Sequence, residues 1–488
     1  MAENVPIEEG ATRPGARKRI PLPSLSLGIS ERRLLLAVVD ALAFNTALLL
    51  VLRVRHAPAP PDGWLSPVTS RPEWFLLLTL LWLVVASMFD GYHLKIASNP
   101  FSGAYAIIKA LATTILAYWL VPYLSPLPAS RLAGLLLFLF AACLLVPWRV
   151  FYASVFVQPV FRRWALIVGA GKAGIALVRT LQTEAASDCL ACGFIDDDPA
   201  KQGASFEGVP VLGAGKDLLA IARREGMCDV ILAITDMDAM REPLFRAVLD
   251  CHEQGIHVAT MPDVYEGVSG RVAVEHIGRR LHLILPLYSS PTQRIYEALK
   301  RLLDLASAVA GLAVFAVFLP GISVAIKLDS RGPVFYTQER VGKGGRIFRI
   351  LKLRSMVDGA EKGGQAVWAA AHDARITRVG RFLRRTRLDE APQLVNVLKG
   401  EMSLIGPRPE RPQFVTELAE QIPFYRARHA VKPGITGWGQ VKYRYGNSVQ
   451  DALVKLQYDL YYIKHRSIYL DLLILAKTVL VMMSFKGT

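Results

Sequence analysis

Asp389 and Glu390 stand side by side in a run dense with cations: Arg384, Arg385 and Arg387 precede them, Lys399 follows, and the run closes on Gly406-Pro407-Arg408-Pro409. Adjacent carboxylates among arginines have one specific use. One carboxylate can attack a phosphorus atom while the other holds a divalent metal, and the arginines neutralise a diphosphate whose charge would otherwise repel an anionic nucleophile. Helical spacing predicts that Arg385 and Asp389, four residues apart, share a face, so that the guanidinium favours the ionised carboxylate. Taken without their surroundings, the same residues more readily describe a solvated amphipathic helix stitched by ion pairs.

A second constellation lies upstream. Arg163–Val168 reads as a strand and runs into Gly169-Ala-Gly171-Lys-Ala-Gly174, after which a helical pattern continues to Leu181. Strand, glycine turn and helix in that order make a phosphate cradle, because glycines permit a tight turn and close backbone approach while the helix N-terminus faces an anion. Asp196, in Gly193-Phe-Ile-Asp196-Asp-Asp-Pro199, is spaced to meet a ribose. With further strands expected at 229–234 and 255–260, the alternation predicts a Rossmann-like α/β domain to about residue 280. Whether Gly169, Gly171, Gly174 and Asp196 hold a nucleotide or NAD-like ligand stays open, since such a loop persists in domains that have lost their nucleotide. Tyr296 and Lys300 match the YxxxK spacing of short-chain dehydrogenases, but they lie beyond the α/β domain and read as a coincidence.

Both constellations must be carried by elements that meet lipid. A composition of 52% hydrophobic and 20% charged residues over 488 positions is too apolar for an ordinary soluble protein and too charged for a pure transporter. Residues 1–30 are polar and read as disordered and cytoplasmic. Four apolar stretches follow, at about 34–52, 74–89, 105–124 and 132–150, each near the length a helix needs to cross a bilayer. An even number of crossings returns the chain to its starting side, consistent with Arg32 and Arg33 before the first and Arg162 and Arg163 after the last. Asp40 and Lys109 fall inside these stretches, where facing the bundle or snorkelling explains them more simply than function does.

A fifth apolar run, about 305–326, has Lys300 and Arg301 on one flank, Lys327 and Arg331 on the other, and Pro320 inside it. Basic flanks are retained on the cytoplasmic side, so the run predicts a re-entrant helix at about 303–327 and a soluble region held against the inner face. The last run, 468–485, is interrupted by Asp471 and Lys477 and predicts an interfacial helix. Lys and Arg outnumber Asp and Glu by 57 to 41, an excess suited to anionic headgroups and phosphorylated substrates, and no nucleic-acid motif accompanies it. The five cysteines form neither a disulfide framework nor a paired zinc motif.

The C-terminal part resembles the bacterial sugar transferases, the monotopic phosphoglycosyl transferases that start glycan assembly on polyprenyl phosphate. The resemblance begins at about residue 294 and runs through Asp329-Ser-Arg-Gly-Pro-Val-Phe-Tyr-Thr-Gln-Glu-Arg-Val-Gly342 and Phe348-Arg-Ile-Leu-Lys352-Leu-Arg354-Ser-Met356. It continues through LDEAPQLVNVLKGEMSLIGPRP at 388–409 and Lys432-Pro-Gly-Ile-Thr-Gly-Trp-Gly-Gln440. It implies that Asp389 is the nucleophile, Glu390 the Mg²⁺ ligand, Arg408 a phosphate clamp and Lys352 a further substrate-side cation, with Arg354, Arg384 and Arg385 also binding substrate phosphate. Two departures from the pattern bear on local geometry. Arg387 stands where many members have a small hydroxyl residue, and Leu319 precedes the membrane proline where the smaller forms have Ser.

The implied activity is transfer of hexose 1-phosphate, glucose or galactose, from a UDP-sugar to undecaprenyl phosphate through a covalent phosphosugar-aspartate, with release of UMP. It would start exopolysaccharide, O-antigen or capsule synthesis on the cytoplasmic face of a bacterial inner membrane. The rivals are an NAD-dependent, membrane-anchored nucleotide-sugar-modifying enzyme and a non-catalytic nucleotide-sensing scaffold. Partners would be a UDP-sugar, undecaprenyl phosphate, membrane lipid and, in a homodimer, a second copy of the chain. The expected architecture is a mixed membrane protein: a disordered 1–30, a four-helix transmembrane bundle at 31–160, the Rossmann-like domain at 161–280, and a mainly helical monotopic catalytic domain at 281–488. All phosphate-handling motifs fall in the last part, so residues 1–280 are expected to be dispensable for chemistry.

Overall fold

The computed structural model describes residues 29–55, 72–120, 131–156, 163–186, 188–227, 229–234, 240–276, 291–359, 375–443, 446 and 448–483. The disorder expected of the N-terminus therefore falls almost wholly outside the described residues.

Helices α1 (Ile29–Arg55), α2 (Pro72–Met88), α3 (Leu94–Ala97), α4 (Pro100–Leu120) and α5 (Arg131–Val155) open the chain. Phe44, Trp82, Leu111 and Leu137 are fully buried where α1, α2, α4 and α5 meet, and the rings of Phe44 and Trp82 stack at 5.3 Å. The opposite faces expose Leu34, Leu42, Leu80, Leu116 and Leu132, as a bundle solvated by lipid requires. Over 31–54, 100–120 and 132–155 these helices are long and apolar enough to cross a membrane, whereas the apolar part of α2, 75–88, is shorter. Asp40 pairs with Arg149 inside the bundle, and Arg149 also donates to the Gly91 carbonyl at 2.7 Å. Lys109 lays its ammonium over the Tyr105 ring at 3.9 Å. Asp40 is thus paired inside the bundle, while Lys109 and Tyr105 meet on its exposed outer face.

The middle region is a doubly wound α/β layer. Strands β1 (Arg163–Val168), β2 (Cys189–Ile195), β3 (Ser205–Phe206), β4 (Val209–Gly213), β5 (Asp229–Leu232) and β6 (His257–Thr260) form one sheet in the order β3-β4-β2-β1-β5-β6, parallel except for the β3–β4 hairpin. Helices α6 (Lys172–Glu184), α7 (Leu218–Glu225), α8 (Glu242–Glu253) and α9 (Met261–Ser269) connect or follow them. The glycine loop after β1 is required by close approach: Gly169 has φ +107°, and a Cβ on Gly174 would overlap the Gly169 carbonyl.

A single helix, α10 (Pro291–Asp329), then runs 39 residues with Pro320 inside. The proline removes the N–H that would bond the Ala316 carbonyl. Val314, Val317, Phe318, Val324 and Leu328 are all more than half exposed on both sides of it, and the helix is long and apolar enough to enter a membrane. The remaining elements are β7 (Phe335–Val341), β8 (Ile347–Leu353), α11 (Arg378–Thr386), α12 (Gln393–Lys399), β9 (Ser403–Ile405), α13 (Pro412–Gln421), β10 (Gly434–Thr436), α14 (Trp438–Lys442), α15 (Val449–Lys464) and α16 (Ile468–Met483). Tyr296 and Lys300 both bond Asp471 at 2.9 Å, so the YxxxK pair fastens α10 to α16. Helix α16, expected at the interface, is seated on the membrane bundle: Lys477 bonds Asp90 at 2.8 Å and the Met88 carbonyl at 3.1 Å, and Tyr469 meets Ser87 at 3.1 Å.

Val272 and Val274 fall before residue 280, yet they are buried in the C-terminal core with Ile405, Trp438, Leu456 and Leu460. The Val272 N–H donates to the Gln457 carbonyl at 3.1 Å, and the Trp438 ring N–H donates to the Gly270 carbonyl at 3.0 Å. Nearby, Glu266 on α9 receives Lys464 at 2.9 Å and His465 at 2.8 Å. The middle region is therefore keyed into the C-terminal one.

Candidate active site

Thr377 caps α11 by accepting the Gly380 N–H at 3.0 Å, and Asp329, at the end of α10, accepts the Val379 N–H at 2.8 Å. The helix stops at Thr386. Arg387 adopts a left-handed backbone, φ +57°, and Leu388–Glu390 form a 3₁₀ turn. This corrects the expected helical face: Arg385 and Asp389 are separated by a change of backbone hand and do not lie on one continuous helix. A left-handed conformation costs a side-chain-bearing residue about 1–2 kcal/mol. Here it turns both carboxylates inward, leaving Asp389 8% and Glu390 7% exposed.

Three cations converge on Glu390. Its Oε1 receives Arg408 Nη2 at 2.8 Å and Lys352 Nζ at 3.1 Å, and Arg387 Nη1 lies 3.7 Å from Oε2. Burial alone would push the Glu390 carboxyl up, but Arg408 and Lys352 hold it well below the usual carboxylate range. Asp389 is pushed up to about 6 by burial and by the charge of Glu390, against the pull of Lys352, Arg384 and Arg408. Two neighbouring carboxylates thus differ: one is locked as an anion, while the other can take up a proton under mildly acidic conditions. Such separation is characteristic of reacting groups.

The supports are local and specific. Lys352 continues the inward face of β8 set by Phe348 and Ile350, since alternate strand residues share a side. Asn396 on α12 fixes β8 by donating to the Arg349 carbonyl at 2.8 Å and accepting the Leu351 N–H at 3.1 Å. The turn carrying Arg408 is packed backbone to backbone: the Gly406 N–H bonds the Thr436 carbonyl and the Gly434 N–H bonds the Pro407 carbonyl, both at 2.9 Å. A Cβ on Gly406 or Gly434 would strike the other strand's backbone.

Of the other cations expected at phosphate, Arg384 donates through Nε to Ser355 Oγ at 2.8 Å and still bears on Asp389. Arg385 is on the exposed face of α11. Arg354 departs from expectation. It is buried and donates to the carbonyls of Ser330 at 2.6 Å, Arg331 at 2.8 Å and Ile326 at 3.3 Å, closing the C-terminal end of α10. In this structure the guanidinium is engaged with these carbonyls and supports the end of the helix. The structure also brings in Asn396 and Arg428, which sequence reasoning had not singled out as functional.

In the middle region, Asp196 accepts the Ala170 N–H at 2.8 Å and Lys201 Nζ at 3.0 Å through Oδ2, and the Asp198 N–H at 3.0 Å through Oδ1. The side chain expected to meet a ribose thus holds the glycine loop through Oδ2, while Oδ1 is engaged by the turn that follows β2. Gly171 opens α6 with free space beside it.

Residues 295–485 match the family model described as bacterial sugar transferase, and residues 87–262 match one described as a CoA-binding domain. A UDP-glucose:undecaprenyl-phosphate glucose-1-phosphate transferase of Klebsiella pneumoniae is 33% identical over 332 residues, covering 67% of this chain and 68% of that protein. The chain belongs to the bacterial sugar transferase family. A UDP-N-acetylgalactosamine-undecaprenyl-phosphate N-acetylgalactosaminephosphotransferase of Aeromonas hydrophila is 43% identical over 252 residues, covering 51% of this chain and 58% of that protein. The match with the Aeromonas relative therefore spans little more than half its length. Among solved structures, a UDP-D-quinovosamine 4-dehydrogenase from Vibrio fischeri matches 23% of this chain and 88% of its own at 22% identity and a TM-score of 0.18, too slight a likeness to carry an argument.

Proposed function

We propose that this protein transfers a sugar 1-phosphate from a UDP-sugar to undecaprenyl phosphate, with Asp389 as nucleophile, on the cytoplasmic face of the inner membrane. The observation that carries the reading is the buried Asp389–Glu390 pair, ringed by Lys352, Arg387 and Arg408, at the foot of a lipid-exposed helix. Asp389 attacks the β-phosphorus of the UDP-sugar. A bond forms from its carboxylate oxygen to phosphorus, the bond to the bridging oxygen breaks, and UMP leaves with the electron pair. The phosphate of the lipid acceptor then attacks the phosphosugar-aspartate, and the carboxylate is regenerated. An acceptor that is already an anion needs no general base. Arg408 and Lys352 neutralise the diphosphate as charge shifts onto the departing UMP.

Among the described residues no three metal-ligating side chains of the His, Cys, Asp or Glu type come together. That suits Mg²⁺, which takes one or two carboxylates with substrate phosphate oxygens and water, and Glu390 is the residue that would hold it. Bound there, the ion would supply charge neutralisation at the diphosphate. Helix α10 is re-entrant in this reading, supported by Pro320, by the basic flanks Lys300, Arg301, Lys327 and Arg331, and by its exposed apolar faces. Cysteines introduced near 300 and near 331 should both react with a membrane-impermeant reagent only from the cytoplasmic side. Labelling of the second from outside would replace the re-entrant helix with a crossing.

The relatives' names carry different sugars, glucose in one and N-acetylgalactosamine in the other. A panel of UDP-glucose, UDP-galactose and UDP-N-acetylgalactosamine with undecaprenyl phosphate tests the activity and identifies the sugar together. The mechanism is tested without lipid acceptor: wild type should exchange labelled UMP into the UDP-sugar and Asp389→Asn should not. Normal transfer without exchange or a trappable adduct would point to direct attack by the lipid.

A further inference from the structure

Arg408 reaches Glu390 from a turn with little regular structure of its own, so something else must fix the direction in which its side chain leaves the backbone. Pro407 and Pro409 restrain the neighbouring backbone, and the residue before a proline is confined to extended conformations. They narrow the Arg408–Pro409 peptide to an extended range without choosing one orientation within it. The Arg408 carbonyl accepts Arg428 Nη2 at 3.0 Å. Arg428 is buried, at 6% exposure, and is held on two further sides: Nη2 donates to Asp459 Oδ2 at 2.8 Å, and Nη1 donates to the Tyr425 hydroxyl at 2.6 Å. Asp459 lies at 4% exposure on α15, the helix whose C-terminal end meets Glu266 through Lys464 and His465. Arg428 and Arg408 also line one crevice, with Gly342, Pro407, Pro409 and His429.

We infer that Arg428 is a positioning residue, which, oriented by Asp459, fixes the Arg408 backbone and so aims the Arg408 guanidinium at the nucleotide diphosphate. A planar fork suits this role, because it can serve a carboxylate, a hydroxyl and a carbonyl together, which an ammonium cannot do in the same geometry. A buried arginine kept only to stabilise the fold would be coupled to melting temperature and not to Arg408.

The inference rests on reading the site as one for a nucleoside diphosphate sugar, and a double-mutant cycle on the full-length protein separates the two. UDP is the probe, with affinity measured by titration calorimetry in the presence of Mg²⁺ and melting temperature followed in parallel. Arg408→Ala and Arg428→Lys should each weaken UDP binding by about tenfold, the loss of one charge-assisted contact. The double variant should bind no worse than Arg408→Ala alone, within about twofold, because Arg428 acts only through Arg408. Losses that multiply to about a hundredfold, or wild-type affinity in Arg428→Lys, would overturn the role. Asp459→Asn keeps the side-chain shape and must show the same dependence on Arg408, which provides the test if the Arg428 variant does not fold. Absence of UDP binding in the wild type would refute the site reading and the positioning role together.

Discussion

Removing the first 289 residues should unfold the catalytic region, whereas removing the first 267 should not. The shorter chain loses Val272, at 0% exposure, and Val274, at 3%, both from the interior of the C-terminal core. Each fully buried valine contributes about 1.5–3 kcal/mol relative to an exposed one. The bonds from the Val272 N–H to Gln457 and from Trp438 to Gly270 add about 1 kcal/mol apiece, because water can replace the lost partner. The total, about 5–8 kcal/mol, is of the size of a whole domain's stability. Two chains beginning at 268 and 290, purified in the same detergent, would be compared by thermal melting and size exclusion. The chain from 290 should melt at least about 10 °C lower, or aggregate. If its melting temperature lies within about 3 °C of the other's, the 270–276 segment is an ornament on the core and the reasoning fails. The expectation that everything before residue 280 is dispensable would then stand as first read.

Asp389 must be ionised to attack, and its carboxyl is pushed up to about 6, so UMP exchange at low UDP-sugar should fall about tenfold per pH unit below that value and level off above it. An acid limb near pH 4 would mean that the carboxyl is unperturbed in solution. Lys352→Met should strengthen Mn²⁺ binding measured without nucleotide, by about tenfold once solvent screening is allowed for, because one cation leaves the Glu390 carboxylate. The same variant should weaken UDP binding, and loss of both affinities together would argue that Lys352 only maintains the fold. Gly174→Val, which would drive a side chain into the Gly169 carbonyl, should disrupt the middle domain as seen in limited proteolysis; an unchanged digestion pattern would contradict the close packing of loop and helix.

The parts legible in the sequence were those written in local pattern. Strand β1 follows the expected residues because a short apolar run ends on a glycine that a tight turn requires, and Asp196 stands at the end of β2 as read, although its carboxylate bonds the glycine loop where a ribose contact was expected. Adjacent carboxylates and the Pro-Arg-Pro turn were marked by the family resemblance, since type and spacing alone describe a solvated helix as readily, and the structure does bring Glu390 and Arg408 together. What escaped was set by tertiary partners. Arg354 sits in a motif beside Lys352, yet its guanidinium ends on the carbonyls of a helix that the spacing of charges could not bring to mind. Val272 and Val274 look like the tail of the α/β domain, and only the packing puts them in another core.

The left-handed Arg387 shows why spacing misled at the centre of the site. On a continuous helix Asp389 would have stood beside Arg385, in solvent, with a carboxyl near its ordinary value. The reversal at Arg387 instead carries both carboxylates under β8, where Lys352 and Arg408 can reach only one of them directly. Glu390 takes the close contacts and stays an anion, and Asp389 is left buried beside that anion, where its own ionised form is disfavoured. A diphosphate entering this cluster would draw Lys352 and Arg408 toward itself and would expose Glu390 to a metal in the same movement. The charge that leaves Glu390 when its cations turn to the substrate is the charge a divalent ion replaces, so nucleotide and metal should bind more tightly together than either does alone. Titrating Mn²⁺ into the wild type with and without a non-chelating uridine nucleotide analogue would measure that coupling, and equal affinities in the two titrations would show that the cations never leave Glu390.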